Sequence, residues 1–130
     1  RTMTFVFAKE LTEKAVKDAL LKRRTLVYSG GNVIGEENLL IDLINASVDC
    51  RFVRENKKDE TRTYTLTNLS SVTYRLRRGK TIYELEPYRT LTCSFGKDKN
   101  TKQYRAPKFT IENMYHSDYK HPAVTFEIDK

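Results

Sequence analysis

The chain opens on TMTFVFA, in which Met3, Phe5, Val6, Phe7 and Ala8 form an almost unbroken apolar run. A run without alternation predicts a strand covered on both faces rather than one. Burying large apolar side chains is worth about 1.5–3 kcal/mol each, so this segment alone weighs against the ~5–15 kcal/mol that holds a whole domain folded. It has to be covered by something. The period then becomes helical: Thr12 suits an N-cap, Ala15, Val16, Ala19 and Leu20 share a face, and Lys22, Arg23 and Arg24 follow in the last turn. Thr25–Ser29 predicts a second strand, ended by Gly30-Gly31, and strand, helix and strand together read as a βαβ-like unit with parallel strands. A second helix is expected from Glu36 to Ala46, with Leu39, Leu40, Leu43 and Ile44 on one face behind an acidic first turn.

From Val48 the period changes to two. Val48, Cys50 and Phe52 alternate with polar neighbours, as do Tyr64 and Leu66, then Val72, Tyr74 and Leu76, then Leu91, Cys93 and Phe95. Ile82 with Leu85, Phe109 with Ile111, and Val124 with Phe126 and Ile128 supply further short strands, separated by turn-forming stretches such as NLSS, RRGK and GKDKN. The expected fold class is α+β: a short strand-helix-strand plus helix N-terminal region packed on an antiparallel, immunoglobulin-like β-sandwich. The boundary falls near Ser47, giving segments 1–47 and 48–130. No Gly/Pro/Ser linker separates them, so the two regions are expected to pack together.

Composition narrows the function classes. No apolar stretch approaches the ~20 residues of a bilayer span, and Lys9 and Glu10 interrupt the first apolar run too soon for a leader peptide. Lys and Arg number 24 against 17 acidic residues, a formal charge of +7. The excess is spread over KRR at 22–24, KK at 57–58, RLRRGK at 75–80 and KDKNTK at 97–102, mostly where turns are expected, which reads as solvated charge. Specific nucleic-acid binding would need Tyr64, Tyr74 and Tyr83 to face solvent beside Arg75, Arg77 and Arg78, yet alternation puts Tyr64 and Tyr74 inside.

Candidate chemistry is sparse. Cys50 and Cys93 fall on inward strand positions, so buried free thiols are expected, with a cross-sheet disulfide as the alternative. His116 and His121, drawn together with Asp118, lie in a Pro-containing loop and lack the rigid spacing of a metal site. No Ser, Cys or Thr stands with a base and an orienting group, and the adjacent acid pairs Glu36-Glu37 and Asp59-Glu60 read as a helix start and a turn. YSGGNVIGEE lacks both phosphate-loop patterns and reads as a strand-to-helix turn whose glycines supply positive φ. Catalytic, cofactor-binding and metal residues are therefore all assigned as none.

TMTFVFAKELTEKAVKDALLKRRTLVY followed by VIGEENLL resembles the C-terminal end of the PHP (polymerase and histidinol phosphatase) phosphoesterase domain, in the two-domain form found in Bacteroides-type bacteria. TLTNLSSVTYRL, LEPYRTLTCSF and FTIENMYHSDYKHPAVTFEI are similar to that family's β-sandwich tail. The resemblance implies a non-catalytic C-terminal accessory domain whose partner in cis is an upstream PHP catalytic domain. Divalent metals are expected only there, because the family's HxH and DxH motifs do not occur in this sequence. It also accommodates an exported, periplasmic location as well as a cytoplasmic one. Met3, Phe5, Val6 and Phe7 become the expected interface, toward the missing domain or a second copy of the chain. The alternative is an independent β-sandwich module for a glycan, a protein or an anionic polymer.

Overall fold

The computed structural model describes residues 2–130, with the backbone alone for Thr2 and Asp118. In chain order the elements are β1 (Thr2–Val6), α1 (Glu13–Leu21), β2 (Thr25–Ser29), β3 (Asn32–Ile34), α2 (Glu37–Ser47), β4 (Val48–Asn56), β5 (Thr61–Asn68), β6 (Tyr74–Arg78) and β7 (Thr81–Leu85). β8 (Thr90–Gly96), β9 (Lys108–Ile111), β10 (Met114–Tyr115) and β11 (Ala123–Thr125) follow, with a short 3-10 turn at Ser117–Tyr119. They make an α+β fold of three sheets, ordered β1-β2-β3-β10, β4-β5-β8 and β11-β9-β6-β7.

The two larger-residue sheets from Val48 onward face each other in a sandwich-like layer. Phe95 of β8 meets Phe109 of β9 edge-on at 5.9 Å between centroids, and Phe109 in turn touches Tyr83 and Phe126. Cys50, Leu66, Tyr74, Leu76 and Ile111 are fully buried around them, which is the alternation of the sequence expressed as packing.

The N-terminal layer differs from expectation in one respect: β1 and β2 pair antiparallel, with Phe5 opposite Leu26, and not parallel. The Phe7 N–H donates to the Arg24 carbonyl at 2.9 Å, so the segment between the strands leaves and returns at one point. Nine helical residues therefore form an excursion on a hairpin rather than a crossover along the sheet. Thr12 caps α1 as expected, its Oγ1 accepting from the Ala15 N–H at 3.2 Å. The glycine turn also corrects the sequence reading. Gly30 and Gly31 have φ of 61° and 82°, the positive values a two-residue hairpin turn requires, and they lead into β3 before any helix begins. A phosphate-cradling loop at a helix N-terminus is thereby ruled out for this stretch.

β10 ties the layers together. It lies between β9 and β11 in sequence but pairs parallel with β3, Met114 opposite Val33. Leu26, Val33, Leu40 and Ile44 consequently share one core with the sandwich residues. Asn113, 4% exposed, fixes the junction. Its Nδ2 donates to the carbonyls of Gly31 and Thr73 at 3.0 and 2.6 Å, its Oδ1 accepts from the Arg75 N–H at 2.9 Å, and its carbonyl accepts from the Val33 N–H at 2.8 Å. At the other side, the Ser47 and Tyr74 hydroxyls meet at 2.7 Å, joining the end of α2 to β6.

Asn113→Ala removes three part-buried side-chain hydrogen bonds, which at about 0.5–1.5 kcal/mol each predicts a loss of roughly 2–4 kcal/mol. Urea unfolding should show a lower midpoint with an unchanged slope. Asn113→Asp should be at least as damaging, since it sets a carboxylate oxygen against two carbonyl oxygens.

Candidate functional site

Alternation sorts the residues of the first sheet onto two faces. Met3 and Phe5 lie with Leu26, Tyr28, Val33 and Met114 on the inner face, by the register of the four strands. Phe5 packs on Tyr28 at 6.0 Å, and Phe5 and Phe7 are half-buried against the core. Val6 falls on the other face, with Thr4, Val27, Ile34 and Tyr115. Of these, Val27 is 39% and Ile34 47% exposed. The expected interface of Met3, Phe5, Val6 and Phe7 is thus divided by the sheet: three side chains turn toward this chain's own core side, and Val6 belongs to an apolar outer face. β1 is also an edge strand, paired only with β2 among the described residues.

A groove of about 580 Å3 borders that face, lined by Ile34, Gly35, Tyr115, His116 and Tyr119 among others. Gly35 is required there, because a Cβ would collide with the buried Leu26 side chain. The sequence did not reveal what the groove brings together. His116 Nε2 lies 3.0 Å from a Glu37 carboxylate oxygen, and its Nδ1 lies 3.4 Å from the Ser117 hydroxyl. Glu, His and Ser in contact suggest a hydrolytic triad only on paper. The hydroxyl contact is long and between adjacent residues, and the groove's Gly35 N–H, which an oxyanion would need, already donates to the Tyr115 carbonyl at 3.1 Å.

The second histidine is held elsewhere. His121 Nε2 sits 3.1 Å from Glu112, and its Nδ1 2.9 Å from the Met114 carbonyl. The Asp118 side chain lies outside the described residues. Among the described residues no three His, Cys, Asp or Glu side chains gather as a metal site.

Cys50 and Cys93 are buried free thiols. They flank β5, Cys50 opposite Leu66 and Cys93 opposite Tyr64, so two strand spacings of ~4.8 Å separate them, more than a disulfide spans. Burial pushes both thiols up to about 11. Tyr64 and Tyr74 are likewise buried, and Tyr83 is packed edge-on against Phe109, so these rings offer no stacking platform for bases. The outer face of β5 and β8 carries hydroxyls instead of rings: Thr63 bonds Ser94 at 2.8 Å and Thr67 bonds Thr90 at 2.9 Å. No described helix is long and apolar enough to cross a membrane.

No protein-family model and no curated protein matches the chain. Among solved structures, it is similar to a two-domain protein containing a predicted PHP-like metal-dependent phosphoesterase from Bacteroides vulgatus, at 28% identity and a TM-score of 0.82. The match covers 97% of this chain and 38% of that one. The chain therefore spans well under half the length of that protein, as one part of a two-domain protein does.

The thiols yield a measurable consequence. A group whose pKa is raised in the folded state keeps its proton there while the unfolded chain loses it. Their contribution is thus fully present below about 9 and is lost as pH rises toward about 11. Stability should fall across that window, and Cys50→Ala/Cys93→Ala should flatten the fall. Native protein at pH 8 should be alkylated roughly a hundredfold more slowly than urea-unfolded protein, from the lower thiolate fraction alone.

Proposed function

We propose that this chain is the non-catalytic C-terminal part of a PHP-type metal-dependent phosphoesterase. Residues 1–47 complete the end of the catalytic domain, and residues 48–130 form an immunoglobulin-like accessory domain that braces it and shapes substrate access. The observation that carries this reading is the similarity over 97% of the chain to a portion of a two-domain PHP-like protein, whose greater part lies outside the match. The outer face of the first sheet supports it. Val27 and Ile34 are exposed there, with the half-buried Val6 on β1, whose outer edge is unpaired among the described residues, and the upstream catalytic domain is the occupant assigned to that face. Strand order supports the immunoglobulin-like assignment: β4-β5-β8 against β11-β9-β6-β7 is a Greek-key arrangement of two antiparallel sheets.

The metals and the hydrolytic chemistry belong, on this reading, to the upstream domain. The second reading, an independent module for a glycan, protein or anionic polymer, draws on the basic end of the sandwich described below. A flat aromatic surface on β5 and β8 would have favoured it further, and that surface is hydroxyl-bearing.

Two measurements test the assignment. The coding sequence upstream of Arg1 should carry an HxH early and a DxH late, and a continuous reading frame lacking both overturns it. In the longer protein, Val27→Glu/Ile34→Glu should raise amide exchange in β1–β3 by about tenfold or more, while the same change in the 130-residue chain leaves its thermal midpoint nearly unmoved. Equal effects in both proteins would show that no domain sits on this face.

A further inference from the structure

At the far end of the sandwich lies a cleft of about 510 Å3, within the ~300–1,000 Å3 range of small-molecule sites. Arg77, Arg78, Arg105 and Lys108 line it, with Asp98 as the acidic member. Arg78 shares the parity of Tyr74 and Leu76, so its side chain turns in between the two sheets, where its guanidinium lies 3.7 Å from the centroid of the Phe95 ring. It donates to the Ala106 carbonyl at 3.3 Å and has no carboxylate partner among the described residues. Burial, and after it the charge of Arg105, lowers its pKa, so two like charges converge on one space.

Apart from Asp98, the nearby acids are committed elsewhere. Glu112 holds Arg77 and His121, Glu84 faces Arg75 at 3.8 Å, and Glu55 holds Arg62 at 2.8 Å. Asp98 spends one carboxylate oxygen on the N–H groups of Asn100 and Thr101, at 2.8 and 3.1 Å, to shape its own turn. Arg105 and Lys108 make no direct ion pair among the described residues, and Asp98 acts on Arg105 only through its charge. Tyr104 closes one side, held beneath Arg62 and Lys97 at 4.1 and 5.0 Å from its ring. A guanidinium kept half-buried against a ring, beside a second one and without a carboxylate of its own, is an arrangement completed by an incoming oxyanion.

We propose that this cleft binds a small phosphorylated molecule, its phosphate held between Arg78 and Arg105 and its organic body in the remainder of the cleft. Binding here is a property of the sandwich end alone, whatever lies upstream of Arg1. The 130-residue chain titrated calorimetrically with inorganic pyrophosphate should show saturable one-to-one binding that weakens from low to physiological ionic strength. Arg105→Glu, at an exposed side chain with no direct ion pair, should lower affinity by about tenfold or more with circular dichroism confirming that the fold is kept. The charge-matched Lys57→Glu, in the β4–β5 turn, should leave affinity within about twofold. Arg78→Ala should abolish binding, with circular dichroism to confirm folding. Absence of binding, equal weakening by Lys57→Glu and Arg105→Glu, or binding of heparin or single-stranded DNA but not pyrophosphate would each overturn the proposal.

Discussion

The structure depends on one junction, the turn between β9 and β10, where the backbone leaves the sandwich to become part of another sheet. A two-residue strand is far too short to persist alone, yet β10 is held because its neighbour Asn113 satisfies three backbone groups, in the β2–β3 turn, at Thr73 and in β6. Asn113 itself is buried, while the groups it bonds are only partly covered. Removing the clasp would therefore lose three backbone partners at once and loosen the hold of the inner sheet face, with Leu26 and Val33, on the shared core.

That junction also explains what could be read from the sequence. Strands of five or more residues with one buried face, such as β5 and β8, announce themselves because alternation repeats enough times to exceed chance. α1 and α2 did so through their apolar stripes; α2 matched within one residue at each end, whereas α1 stops at Leu21, before the Lys22, Arg23 and Arg24 expected in its last turn. β3 and β10 did not, being three and two residues long, and their pairing is set by a hydrogen bond from a residue some eighty positions away. The orientation of β2 was misjudged for a related reason. Periodicity reports which face of a strand is buried, but its direction is decided by where the connecting segment ends, and here Phe7 and Arg24 close that segment on itself.

The candidate sites follow the same division. Parity along β6 was legible and placed Tyr74 and Leu76 inside, and Arg78 carries the same parity. Its charge argued for solvent, and the resolution between the two is local: the chain reaches Gly79, with φ of 60°, immediately after Arg78, so the inward arginine sits at the mouth of the sandwich and not in its middle. Its stem and ring contact are covered while its head reaches the cleft. The thiols were legible for the opposite reason, since a small side chain of low polarity obeys parity without conflict. Contact of His116 with Glu37 was not legible, because it depends on β10 bringing a distant loop to the start of α2.

A last consequence concerns how the two surfaces relate. α2 ends on Ser47 and β4 begins on Val48, so no linker intervenes, and β3–β10 pairing closes the layers a second time. Swinging one layer against the other would break both connections and the Ser47–Tyr74 bond, so the layers behave as one body. β6 spans that body: Tyr74 stands at the N-terminal layer and Arg78 at the basic cleft, four residue steps or about 14 Å apart along a strand. The junction with α2 and the basic cleft thus lie at the two ends of one strand. A group docked on the apolar outer face would not touch the cleft directly, and substitutions at Ile34 and at Arg105 perturb separate surfaces whose effects should add.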